Sequence, residues 1–327
     1  MFWMWRGLNK FEVFPGILGN EREAQTLFQA IDNQEIAHTL LFTGPAGCGK
    51  KTLAEKATQK LFCQDMCGEC KNCKMLARGI HPDFLLIVPE GDSLKLEQAR
   101  QVKAFLSTPP NTATSKVAVL DNCQQLTIEA ANSLLKILEE PPSPSVCILT
   151  ADSADKLLPT LVSRSQVYHL TPLPPFIVNK ELIARNAPAE RAEFLAEFAG
   201  GVLGKALTLL EDQEFWQLRK NVVREIQEVF GRNRDPLLSA ENWHGMPERI
   251  LDITEYWLRD MLMLQTIPAF APVNRDLRPE LEACTRACPL DKTIVLLDEC
   301  VQARERLASR CNARLVFDSL LLKMWEV

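Results

Sequence analysis

No apolar run in the 327-residue sequence reaches membrane-spanning length, which removes a helical membrane protein from consideration. The apolar start MFWMWRGLNKF is too short for a signal-peptide core. Trp3 and Trp5 read as a packed or frayed terminus, and the expected compartment is the cytoplasm. Basic excess is also missing: 37 Lys and Arg stand against 42 Asp and Glu, for a net charge of −5. A protein whose main task is coating phosphates is thereby excluded, and any nucleic-acid contact should be local or shared with a partner. There is no internal repeat and no low-complexity stretch. Nor is there an even cysteine count: eleven cysteines do not make a simple disulfide framework. What remains is an ordinary globular composition, with room for two or three domains.

The sharpest absence is local. Residues 44–52 read GPAGCGKKT, a phosphate-cradling loop with Gly44, Gly49 and Lys50 in place. Lys51, however, stands where a Ser or Thr hydroxyl would ligate Mg²⁺. The loop follows an apolar run, Leu40-Leu41-Phe42, and opens a helical pattern carrying Leu53, Ala57 and Leu61. That is the context in which backbone N–H groups and a helix N-terminus surround an anion. Thr52 is no substitute for the hydroxyl, because one residue along a helix is a rotation of about 100°. The second element of an ATPase is an apolar strand ending in Asp. VAVL at 117–120 is followed by Asp121, which can help hold Mg²⁺, but Asn122 comes next and an amide cannot polarise water as a carboxylate does. Independent hydrolysis is not expected, while ATP or ADP could still occupy the loop.

Four of the cysteines fall within eleven residues: Cys63, Cys67, Cys70 and Cys73. Four thiolates so close can complete a tetrahedral shell around a structural Zn²⁺, with no position open for chemistry. An iron–sulfur centre is the competitor, since C-x-x-C-x-x-C is shared with ferredoxin-type runs. Lys74 in place of Pro and the lack of a second cluster weigh against it. His81 is a possible substitute ligand, although beside Pro82 and Asp83 it reads as tucked into the fold. Cys123, Cys147, Cys284, Cys288, Cys300 and Cys311 are expected as small buried hydrophobes.

The first half of the chain alternates short apolar runs with helical patterns. The runs lie at 40–42, 84–88, 117–120, 146–150 and 167–170, with helices at 94–106 and 128–140, the latter stopped by Pro141-Pro142. Buried strands separated by helices imply a doubly wound parallel sheet. Asn20 and Glu23 read as a capping pair opening a helix that buries Leu27, Phe28 and Ile31. After TPLPP at 171–175 the pattern is helical to the end, broken by a Pro-rich stretch around 268–280. The fold class is therefore α/β plus all-α. Its expected domains are an α/β nucleotide-binding-like domain (1–171), with the cysteine module inserted at 63–73, a small helical domain (172–211) and a helical C-terminal domain (212–327).

Two further motifs flank the end of the sheet. In LLKILEEPP at 134–142, Leu134, Leu135 and Leu138 make an apolar helix face, and Glu139-Glu140 reads by default as a solvated end. In LVSRSQ at 161–166, Arg164 sits in a loop before a strand. A loop arginine is usually surface decoration, but one projected from the edge of an α/β domain suits stabilisation of phosphoryl-transfer charge in a neighbour's site.

HTLLFTGPAGCGK, the four-cysteine module, HPDF at 81–84, AANSLLKILEEPP at 130–142 and LPTLVSRSQ at 158–166 together resemble the bacterial clamp-loader subunits of the AAA+ class. Among these the chain resembles the delta-prime subunits of DNA polymerase III more than the gamma/tau motor subunits. The resemblance is strong over residues 11–211 and looser beyond, through ITEYWLRDML and RCNARLVFDSLLLKM. It implies a P-loop domain, a helical lid and a helical collar. The assembly it implies is a hetero-pentameric ring with gamma/tau motor subunits and a delta subunit, which loads the sliding clamp onto primer-template DNA within the DNA polymerase III holoenzyme. Arg164 would match the arginine finger of the family's S-R-C motif, acting in trans, with Ser165 in place of Cys. Thr150 matches the first sensor position. Gly204 stands where motor subunits carry a second-sensor Arg. The gap between Cys63 and Cys67 is shorter than is usual in the family, which puts the reach of Cys63 in question.

Two readings from different classes follow. One is a non-hydrolysing stator that supplies Arg164 to a neighbour. The alternative is an ATP-hydrolysing gamma/tau-like motor or another AAA+ ATPase. Lys51, Asn122 and Gly204 favour the first. An independent DNA-binding protein would need a basic face, which this acidic composition does not offer.

Overall fold

The computed structural model describes residues 17–139, 141, 144–240, 243, 245–267 and 269–326. The expectations for Trp3, Trp5, Glu140 and Pro142 lie outside these residues. The described chain forms two compact units. One holds the residues up to Pro174 together with Val202–Gly204, and the other holds Pro175–Gly201 and the chain from Lys205 onward.

The first unit runs α1 (Glu21–Asp32), β1 (Thr39–Thr43), α2 (Lys50–Phe62), α3 (Lys71–Ala77), β2 (Phe84–Ile87), α4 (Leu96–Leu106), β3 (Lys116–Leu120), α5 (Ile128–Glu139), β4 (Ser145–Ala151), α6 (Pro159–Val162) and β5 (Gln166–His169). The five strands form one sheet in the order β2-β3-β4-β1-β5, with every pairing parallel. Each apolar run expected as a strand is one. The pleat sends alternate residues to opposite faces, and the two cores follow that alternation. Leu41, Ala118, Leu120, Cys147 and Leu149 pack under α4, α5 and α6. Leu40, Phe42, Val117, Val119, Val146 and Ile148 pack under α1 and α2. Each large side chain buried this way contributes about 1.5–3 kcal/mol. The three central strands are therefore buried on both faces, with their polar residues at or near the strand ends, while the edge strand β5 exposes Gln166, Val167 and His169.

Two sequence expectations are corrected. Asn20 does not cap α1: its backbone is left-handed (φ 50°) and its side chain makes no cap hydrogen bond. A capping residue needs an extended backbone to turn its oxygen onto the helix N–H groups. Here the amide clasps Thr171 instead, accepting from its backbone N at 2.8 Å and donating to its carbonyl at 3.0 Å. Leu27, Phe28 and Ile31 are buried as expected. Cys311 is not buried: it lies exposed beyond a helix that ends at Ala308, whereas Cys123, Cys147, Cys284, Cys288 and Cys300 are buried.

The second unit is helical: α7 (Pro175–Ala184), α8 (Ala189–Phe198), α9 (Leu203–Glu211, whose first two residues group with the first unit), α10 (Gln213–Phe230), α11 (Pro236–Ala240), α12 (Pro247–Thr266), α13 (Arg278–Ala287), α14 (Leu290–Ala308) and α15 (Ala313–Trp325). Its core holds an aromatic cluster of Phe194, Phe198, Phe215 and Trp216. Arg219 is almost fully buried, with partners for both terminal nitrogens and none among the described residues for its Nε. It donates both Nη atoms to Asp276 at 2.6 and 2.7 Å, adds Asn274 at 2.9 Å, and lies 3.8 Å from the Phe194 ring centre. Asp260 in turn accepts from Val273 N and Asn274 N, which pins the link between α12 and α13. None of the described helices is long and apolar enough to cross a membrane.

Asp83, in HPDF, is the most heavily used carboxylate of the first unit. It is fully buried and accepts from the backbone N–H groups of Asn111 at 2.6 Å, Thr112 at 2.7 Å and Ala113 at 2.9 Å, and from the side chains of Asn111 and Thr112. Burial alone would raise its pKa, but the N–H groups of Ala113, Thr112 and Asn111 outweigh it and hold the carboxyl far below the usual range. A depressed pKa stabilises the fold above the unfolded-state value of about 3.9, and that stability is lost as pH falls through the native value. Asp83→Asn is expected to cost about 2–4 kcal/mol at neutral pH. In urea titrations its deficit against the wild type should narrow below about pH 4.

Candidate phosphate loop and cysteine cluster

The loop at 44–49 joins the end of β1 to the start of α2. Gly44 has φ +145°, and a Cβ there would lie 2.3 Å from the carbonyl oxygen of Leu170. Gly49, just before the helix, has φ +100°. Both positions demand glycine. Lys50 is buried (6% exposed) and turned into the loop. Its ammonium donates to the carbonyls of Gly44 and Pro45 and pairs with Asp152 Oδ1 at 3.3 Å. Lys51 and Thr52, one position further along the helix, are exposed. Lys51 carries no hydroxyl, and the exposed Thr52 makes no hydrogen bond to the loop, in keeping with the outward turn expected of it. The loop thiol, Cys48, has its pKa raised by burial against the lowering pull of Lys50, so it is a neutral group.

Asp121, Thr150 and Asn122 meet at the ends of β3 and β4. Thr150 Oγ1 donates to Asp121 Oδ1 at 2.5 Å and accepts from Asn122 N at 3.0 Å. Asn122 has a left-handed backbone (φ 56°), and its side-chain oxygen accepts from Gln124 at 3.3 Å. No sequence motif marks Asp152. This carboxylate joins Lys50, Gln124 (3.1 Å) and Lys156 (3.6 Å), while its backbone carbonyl accepts from Gly44 N at 3.2 Å. Its place two residues after Thr150, at the end of a buried strand, was the available signal. Gly204 also comes to the loop: its N–H donates to Gly47 O at 3.2 Å. A Cβ on Gly204 would sit 2.8 Å from that oxygen, so no side chain of any kind fits there without moving the loop.

Arg164 follows α6 and is not free at the surface. Its Nη1 donates to Thr160 O at 3.0 Å, and its Nη2 lies 2.5 Å from Glu139 Oε1, at the end of α5. The expectation of Glu139 as a merely solvated end is thus corrected: it stays half-exposed but carries the counter-charge of Arg164.

The sulfurs of Cys63, Cys67, Cys70 and Cys73 lie within 4.8 Å of one another, and Cys63 Sγ is 3.6 Å from Cys67 Sγ. A tetrahedral shell with Zn–S bonds of about 2.3 Å sets sulfurs about 3.8 Å apart, so the four residues fit one metal ion and the short spacing does not keep Cys63 out. Backbone N–H groups of Cys70 and Cys73 point at the sulfurs of Cys67 and Cys70, each at 3.4 Å. The N–H of Cys70 leads a set of hydrogen bonds that lowers the Cys67 thiol to about 7, whereas burial raises Cys73 to about 12. His81 is not a fifth candidate. It is buried, stacked on Phe62 at 4.3 Å, and receives the N–H of Asp83 on Nδ1.

The family described as "DNA polymerase III, delta subunit" matches residues 19–174, and "DNA polymerase III, delta subunit, C terminal" matches residues 213–326. The DNA polymerase III subunit delta' of Pseudomonas aeruginosa is 31% identical over 301 residues, 88% of this chain and 92% of that relative. The corresponding subunit of Bacillus subtilis is 26% identical over 334 residues, 98% of each chain. Among solved structures, a DNA polymerase III gamma subunit-related protein of Thermotoga maritima aligns with 93% of this chain and 99% of its own, at 18% identity and TM-score 0.44.

The pairing of Lys50 with Asp152 generates a stability prediction. Asp152→Ala removes the carboxylate facing a buried ammonium and should cost about 1–3 kcal/mol in chemical denaturation. Lys156→Ala, which removes an exposed partner of the same carboxylate, should cost less than about 1 kcal/mol.

Proposed function

Since the chain belongs to the family of DNA polymerase III delta' subunits, we propose that it is the non-hydrolysing stator of a clamp-loader complex. In this reading it assembles with gamma/tau motor subunits and a delta subunit in a hetero-pentameric ring that loads the sliding clamp onto primed DNA during replication. Residues 172–211 serve as its lid and 212–327 as its collar. The observation that carries the reading is the state of the phosphate loop. Lys51 offers it no hydroxyl, the exposed Thr52 makes no hydrogen bond to it, Asn122 replaces the water-polarising carboxylate, and Gly204 leaves no space for a second-sensor side chain. Gly44, Gly49 and Lys50 keep the loop's shape, with Asp121 and Thr150 beside it, and ATP or ADP held there would not be hydrolysed.

Catalysis on this reading is lent rather than performed. Arg164 supplies positive charge to the phosphoryl group transferred in the neighbouring motor subunit, where an arginine finger acts by electrostatic stabilisation. The four thiolates of Cys63, Cys67, Cys70 and Cys73 hold a structural zinc, which ties the end of α2 to α3.

The purified chain with Mg²⁺ and ATP should show no turnover at motor rates; such turnover would overturn the stator reading in favour of a gamma/tau-like motor. Within the reconstituted complex, Arg164→Ala should preserve assembly and lower clamp- and DNA-stimulated ATPase. Loss of an arginine finger costs about 10³-fold or more at the site it serves, so the complex should lose that site's share of turnover. Elemental analysis should find about one zinc per chain. Cys70→Ser should reduce that content and lower the melting temperature.

A further inference from the structure

We propose that Glu139 is a positioning residue that parks Arg164 on its own subunit, so that the guanidinium becomes available to a neighbouring phosphate only when this ion pair opens. The inference rests on the reading of Arg164 as a group acting in trans, and it adds a control to that site.

The geometry is specific. Recognition of a phosphate by arginine in its strongest form uses a fork of parallel N–H bonds. Here each terminal nitrogen already has an acceptor on the same chain: Nη1 donates to Thr160 O at 3.0 Å, with Ser163 Oγ at 3.5 Å, and Nη2 lies 2.5 Å from Glu139 Oε1. The side chain is therefore folded back along α6, and a phosphate has to compete with Glu139 for the same nitrogen. Glu139 also offsets the positive charge that would otherwise stabilise phosphoryl transfer.

The pair is held in register by packing. Leu134 and Leu138 of α5 and Leu161 of α6 share one core with Leu157, so Glu139 and Arg164 are presented by two helices fixed against each other. Their side chains are 47% and 35% exposed, and an ion pair so open to water shifts an equilibrium only about 1.5- to 5-fold. That strength suits a parking contact, which a triphosphate can displace. α5 also begins shortly after Asp121, Asn122 and Gln124, so one rigid element runs from the strand ends to the carboxylate that holds Arg164.

The test uses the reconstituted complex carrying wild type, Glu139→Gln, Arg164→Ala or both changes, with ATPase measured with and without clamp and primed DNA. Glu139→Gln keeps the shape and removes the charge. It should raise the unstimulated kcat about 1.5- to 5-fold with KM for ATP unchanged, and lower the stimulation ratio by the same factor. In the Arg164→Ala background it should add nothing. An unstimulated rate equal to or below wild type in a normally melting Glu139→Gln variant overturns the parking role, as does a rise that persists without Arg164. If Arg164→Ala itself leaves every rate unchanged, the trans-acting reading fails and the parking role with it. A fall in Arg164→Ala without a rise in Glu139→Gln removes the parking role alone.

Discussion

The first unit is governed by the burial of its sheet on both faces. β1, β3 and β4 are buried along their whole length, and a polar side chain within them would have to be desolvated without a partner. Charged and hydrogen-bonding groups are thereby driven to the ends of the strands, and the carboxyl ends are the place where open parallel sheets hold ligands. Gly44 and Lys50 follow β1, Asp121 and Asn122 follow β3, and Thr150 and Asp152 end or follow β4. Their meeting is a consequence of strand order: β1 lies beside β4, and β4 beside β3. The loop, the Asp121–Thr150 contact and the Lys50–Asp152 pair are one rim seen from different strands.

How much of this was legible in the sequence follows from the range of each interaction. The five strands and their helices were readable because hydrophobic periodicity is a local signal, and the loop because its glycines are contiguous with Lys50. The four cysteines lie within eleven residues, so their convergence needed no long-range information. Asp152 was readable only as a residue at a strand end, because its meeting with Lys50 depends on β1 and β4 becoming neighbours, which no run of residues encodes. The same holds for Glu139 and Arg164, which belong to two motifs recognised separately and joined only by the packing of α5 on α6. Asn20 failed for a local reason. Ser, Thr, Asp or Asn before a helix fits a cap, but Gly19-Asn20 takes two left-handed steps, and that turns the amide toward Thr171.

The cysteine cluster and Asp83 are the two devices that fasten the inserted segment between α2 and β2. Cys63 extends the last turn of α2, and Cys70 accepts the N–H of Cys73 at the start of α3. Asn72 then donates to Phe62 O at 3.1 Å, and His81 stacks on the same Phe62. From there Asp83 gathers the N–H groups of 111–113, the turn leading into β3. A metal at the cluster would therefore bind where the chain already folds back on itself, with all four ligands drawn from the protein.

These constraints also explain why a loop that is not expected to hydrolyse ATP still looks like one that does. Gly44 is fixed by the Leu170 carbonyl, Gly49 by its backbone angle, and Lys50 by Gly44 O, Pro45 O and Asp152. Each is required to build the junction of β1 and α2 whether or not a nucleotide is turned over. The position of Lys51 is different. It is exposed, makes no side-chain hydrogen bond or ion pair among the described residues, and is needed only for a metal-bound triphosphate. Asn122 belongs to the same class: its left-handed backbone and its contact with Gln124 suit an amide, while a carboxylate there would serve only the attacking water. If catalysis is dispensable, physical chemistry permits loss at just these positions and resists it at the glycines and Lys50. A degraded signature with an intact frame is then the expected form of a subunit that, as proposed for this one, contributes to hydrolysis through Arg164.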